Sequence, residues 1–146
     1  MITEDYVSFE TAKLLKEKGF KEWCFHCYGV AVLHNGADIS FDEECELKDE
    51  GRENEIEYIE GGRLYDYGCN NSDKDAKVWA APTLWVAMKW LREVHNIALN
   101  VCYLLGMWSY SVYRTDVSSS GFNSEDFDTY EEACESAIKY CLENLI

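Results

Sequence analysis

Between Pro82 and Thr115 the apolar residues change period, and this limits the folds open to the chain. Leu84, Ala87, Met88, Leu91 and Val94 recur at helical spacing, and Trp85 and Trp90 widen the stripe. Pro82 is read as opening this helix, where a missing N–H costs nothing. His95-Asn96 reads as its stop, because Asn tolerates a left-handed backbone. From Ile97 the pattern becomes alternation. Ile97, Leu99, Val101, Tyr103 and Leu105 take one face, and Ala98, Asn100, Cys102 and Leu104 take the other. Both faces are mostly apolar, as in a central strand. Gly106-Met107 is expected to turn the chain into a second strand over 108–115.

Two more helices are expected on either side. Ser8 caps the first, with Glu10 in its opening turn, and Gly19-Phe20 supplies a left-handed end packed back on Leu15. Thr129-Tyr130-Glu131-Glu132 matches a capping box, followed by a Cys134, Ile138, Cys141 and Leu145 stripe that should dock on a sheet. The remaining strands are read at 23–33, and at 55–60 and 63–67 around a Gly61-Gly62 hairpin turn. Residues 116–128 read as a polar, mobile, Ser-rich loop. Together these elements predict an α+β fold: a mostly antiparallel sheet with about three helices packed on one face. The whole chain, 1–146, is read as one domain, with a variable acidic hairpin region at about 34–78.

Composition excludes several classes of function. Thirteen Lys+Arg against 28 Asp+Glu leave a formal charge of −15, with 47% hydrophobic residues. Such a chain is too apolar for a disordered acidic tail and too acidic for direct nucleic-acid binding. The N-terminus has neither the basic nor the apolar segment of a signal peptide, and the longest weakly polar run, 78–88, is too short to span a bilayer. A cytoplasmic protein without membrane contact is expected. Seven cysteines, an odd number, argue against a disulfide framework and are read as small buried hydrophobes.

Three features bear on chemistry. Cys24-Phe25-His26-Cys27 has the spacing of half a zinc site or of a redox pair. Inside a continuous strand, however, its two thiols would point to opposite faces, so no metal and no cofactor is expected. Residues 42–60 hold ten carboxylates against Lys48 and Arg52. Glu53, Glu55 and Glu57 are expected on one solvated strand face. No EF-hand, Walker A, HExxH or nucleophile-elbow motif is present, and no catalytic residue is assigned, which points away from an enzyme. The alternative that remains is a site hidden among His26, Cys27 or His95 and nearby acids. His95, at a helix C-terminus, is expected to favour its protonated form.

Three blocks carry a resemblance. They are the run from Tyr6 to Phe20, Ala81-Pro82-Thr83-Leu84 with the segment from Trp90 to Ile97, and Tyr130-Glu131-Glu132-Ala133 with the segment from Ala137 to Leu142. Together they resemble small uncharacterised proteins of Bacteroides-type gut bacteria and their phages or mobile elements. The resemblance implies a bacterial setting and a link to phage or mobile DNA, and it supplies no catalytic residue. The expected function is non-enzymatic binding of another protein, with Trp79, Trp85, Glu53, Glu55 and Glu57 as partner-binding candidates. The alternative is an acidic decoy that occupies the groove of a nucleic-acid-binding protein, because such grooves gain much of their affinity from phosphate neutralisation.

Overall fold

A computed structural model describes residues 2–117 and 122–146. The fold is α+β, with four helices and two small antiparallel sheets. The chain divides into two compact units. One combines Met1–Phe20 with Pro82–Ile146, and the other is Lys21–Ala81.

In the first unit, α1 (Phe9–Glu17) begins where Ser8 accepts a hydrogen bond from the Thr11 N–H at 3.2 Å. It ends as its sequence predicts. Gly19 takes φ +92°, and the Phe20 N–H reaches the Leu15 carbonyl at 2.9 Å. The next helix of this unit in sequence, α3 (Leu84–His95), is capped by Thr83 rather than opened by Pro82. Pro82 lies one residue outside the cap, and its carbonyl accepts the Val7 N–H at 3.0 Å. Asn96 closes α3 in the left-handed conformation, φ +57°.

The sheet of this unit is β4 (Ile97–Leu104), β5 (Met107–Arg114) and the short β6 (Phe122–Asn123), in that order. The β4–β5 turn is Leu105-Gly106, one residue earlier than the sequence suggests, with φ +54° and +85°. Both values are positive, as a turn matched to strand twist requires. Within the span read as a mobile loop, Phe122–Asn123 pairs with β5 and Phe127 bridges Trp108. The rest of that reading, residues 118–121, lies outside the described residues.

Helix α4 (Tyr130–Asn144) is capped by Thr129 and buries Cys134, Ile138, Cys141 and Leu142. It packs on β4 and β5 and against α1 and α3. Phe20 meets the Trp90 ring edge-on, with centroids 5.3 Å apart, and Trp90 in turn meets His95 at 4.5 Å.

His95 overturns the expectation of a favoured imidazolium. Burial first, and the Arg114 charge second, push its pKa below the usual histidine value, and its Nε2 is buried without a hydrogen-bond partner. These effects outweigh the helix end. The linkage sign follows. Above about pH 6.5 the ring is neutral both folded and unfolded; as pH falls below that value the unfolded chain takes up the proton first, so stability is lost. Melting temperatures measured from pH 8 to pH 5 should therefore fall more steeply for the wild type than for His95→Gln. Parallel curves would refute this.

The second unit holds β1 (Cys27–Leu33) between β2 (Ile56–Tyr65) and β3 (Val78–Ala80), all antiparallel. Two sequence expectations fail here. First, Gly61-Gly62 is not a hairpin turn. It lies inside β2, whose partner is β1, and residues 59–62 bulge opposite Val30 between the pairs Ala31↔Tyr58 and Gly29↔Arg63. Second, the acidic stretch contains a helix, α2 (Phe41–Asp49), capped by Ser40. Its inner side packs with Ala31, Ile39 and Ile56 through Leu47. Glu44, 2% exposed, accepts from Lys48 Nζ at 2.9 Å and from the Tyr58 hydroxyl at 2.6 Å. These bonds satisfy a carboxylate that would be costly to bury alone.

Candidate functional site

The first unit carries two adjoining depressions where the N-terminal ends of α3 and α4 approach the segment before α1. Their volumes are about 510 and 180 Å³, and they share Asp5, Leu84 and Glu131. The helix caps explain the placement. Thr83 and Thr129 start the two helices, so the first-turn side chains Trp85, Glu131 and Glu132 fan out around the openings.

The lining has a consistent chemistry. Glu4, Asp5, Glu131, Glu132 and Glu135 supply carboxylates, Tyr6, Trp85, Phe127 and Tyr130 supply rings, and no Lys or Arg lines either depression. Glu135 is committed to the fold, since its Oε1 accepts from the Ser8 N–H at 3.1 Å and from the Thr11 hydroxyl at 2.5 Å. None of the ion pairs among the described residues involves Glu4, Asp5, Glu131 or Glu132. Trp85 is 62% exposed, and Lys89 Nζ sits 5.4 Å from its ring centroid. That contact is the kind an incoming cation could replace.

The other sequence candidates belong to the second unit. Trp79 lies in β3, half-buried, beside Tyr28 of β1. Glu53, Glu55 and Glu57 do not share a strand face. Residues Glu53–Glu55 form a 3₁₀ turn, and only Glu57 enters β2. Arg52 binds Glu55 through two nitrogens at 2.6 and 2.9 Å and holds its carboxyl below the usual range. Glu57 lies 3.5 Å from His34. Carboxylates already engaged within the chain make a weaker phosphate imitation than the sequence suggests.

The residues of the hidden-enzyme alternative fall in both units. His26 Nε2 lies 3.2 Å from the exposed Asp66, Cys27 is fully buried, and His95 belongs to the first unit. Among the described residues no group of three His, Cys, Asp or Glu side chains is arranged to hold a metal ion, and no helix is long and apolar enough to cross a membrane. Sequence reasoning selected Trp85 but missed Glu131, which lines the same depression, and Glu132, which lines the adjoining one. The capping box that contains them was legible, and it accounts for acids in that turn without any ligand. No family model, curated protein or solved structure matches the chain.

Proposed function

We propose that the protein is a non-enzymatic binding module that takes a basic segment of a partner protein into the acid-and-aromatic depressions of its first unit. The observation that carries this is the lining: four carboxylates outside the ion pairs of the described residues and an exposed tryptophan, with no Lys or Arg among the lining residues. A Lys or Arg side chain there gains a carboxylate on one side and a ring face on the other. Electrostatic steering by a chain of charge −15 speeds the encounter. The resemblance of the three helical blocks supports an accessory role in a phage or mobile-element setting.

The test uses a fluorescein-labelled decapeptide alternating Arg with Leu, titrated by fluorescence anisotropy. Trp85→Ala should weaken binding about tenfold, the loss of about 1.4 kcal/mol expected for an interface anchor. Paired Glu131→Gln and Glu132→Gln changes should weaken it and flatten its salt dependence. Wild-type affinity retained by Trp85→Ala would sink the reading. A nucleic-acid decoy gives a different result: displacement of duplex DNA from a basic DNA-binding protein, unaffected by Trp85→Ala.

A further inference from the structure

Three cysteines of the second unit converge, although the three-residue spacing of two of them would put their side chains on opposite faces of a strand. The expected separation of Cys24 from Cys27 required a continuous strand. Strand β1 begins only at Cys27, and Cys24 forms an isolated antiparallel bridge with Cys69. That bridge has reciprocal N–H···O bonds of 3.0 and 3.1 Å. Cys27 meets the same residue by its side chain: the Cys69 thiol beside it, and burial after it, push the Cys27 thiol well above its usual range. The Cys24 thiol turns instead to the Glu22 carbonyl, 3.7 Å away.

The surroundings separate the roles of the Cys27 and Cys69 thiols. Cys27 is fully buried, whereas Cys69 is half-buried and lines a cavity of about 260 Å³ with Asp42, Tyr67 and Gly68. The Tyr67 hydroxyl donates to Cys27 Sγ and receives the Phe41 N–H. It draws the Cys27 thiol down, but the Cys69 thiol and burial outweigh it, so in the reduced pair Cys27 is held protonated, as Cys24 is. Burial pushes the Cys24 thiol up to about 12, which keeps that third sulfur protonated.

We propose that Cys27 and Cys69 are a thiol–disulfide exchange site that accepts a small, neutral or cationic disulfide through this cavity. The Cys69 thiolate attacks one sulfur of the small disulfide. Its S–S bond breaks, one small thiol leaves, and a mixed disulfide forms on Cys69. Cys27 Sγ then attacks Cys69 Sγ, the bond to the small molecule breaks, and a second small thiol leaves. Two protein thiols are oxidised to one disulfide, one small disulfide is reduced to two thiols, and the two protein protons end on those thiols. Asp42 at the cavity and the net charge of −15 disfavour anionic reagents.

The experiment treats the full native chain with cystamine, quenches with acid, alkylates, and maps a chymotryptic digest, which cuts after Phe25 between the two nearby cysteines. The expected product links the Cys27 and Cys69 peptides, with Cys24 recovered alkylated. Cys27→Ser should trap Cys69 as a lasting cysteamine adduct, and Cys24→Ser should leave the 27–69 bond unchanged. A link between Cys24 and Cys69 would overturn the proposal. So would full alkylation of Cys27 and Cys69 in the treated wild type, or an unmodified Cys69 in Cys27→Ser.

Discussion

Phe20→Ala should destabilise the first unit by about 3–5 kcal/mol, the range for truncating a buried aromatic. Phe20 is fully buried and packs edge-on against Trp90 at 5.3 Å. Its backbone N–H also completes the end of α1. Truncation leaves a ring-sized cavity and removes an aromatic contact worth about 0.5–1.5 kcal/mol beyond area alone. Against a typical stability of about 5–15 kcal/mol this is roughly a fifth of the total or more. Denaturant midpoints followed by far-ultraviolet circular dichroism would measure it. A loss below about 1 kcal/mol, the size of an ordinary surface change, would show that Phe20 is not the packing element placed here.

Gly68→Ala should cost about 1–3 kcal/mol by overpacking and should open the cysteine cluster of the second unit. A Cβ at position 68 would lie 2.4 Å from Trp23 Cζ2 and 2.8 Å from the Cys24 carbonyl oxygen. The Trp23 ring is 60% exposed and can swing away. The carbonyl cannot, because it accepts the Cys69 N–H at 3.1 Å. The substitution therefore strains the Cys24–Cys69 bridge itself. Cys24, 5% exposed, should become alkylatable under native conditions, with the second unit melting earlier than in the wild type. Unchanged protection of Cys24 would contradict the geometry around Gly68.

The two predictions rest on parts of the molecule that were unequally legible. The first unit was written locally. Ser8, Gly19, Asn96 and Thr129 act at the helix ends where their side chains or backbones suit the position. The alternation after Ile97 became the β4–β5 hairpin. The second unit was misread at two points for identifiable reasons. Ser40-Phe41-Asp42-Glu43 is itself a capping-box pattern, but the charged segment after it was read as part of a variable acidic hairpin region. Gly61-Gly62 has hairpin chemistry, yet neither glycine takes the positive φ that such a turn uses, and the pair lies within a bulge of β2 instead.

The candidate site divides the same way. Trp85 was legible as one of two tryptophans widening the α3 stripe, and its exposure came from the tertiary structure. Glu131, which lines the same depression, was not legible as part of the site, because it lies 46 positions away in the chain, counting 131 − 85, and sequence spacing carries no sign of that approach. The cysteines show the converse. Their spacing suggested separation, and a break in the strand brought them together.

By itself the amino-acid order determined the α+β class, three of the four helices with the N-caps of α1 and α4, and the acidic character of the chain. These follow from side-chain periodicity and from hydrogen bonds between near neighbours, which act over a few residues wherever the chain folds. Only the tertiary structure decided that β2 pairs with β1, that Cys69 meets Cys24 and Cys27, and that carboxylates and rings from three segments surround one opening. Those contacts join residues dozens of positions apart. They form because burying apolar faces makes certain chain crossings favourable, and no local pattern records which crossings those are.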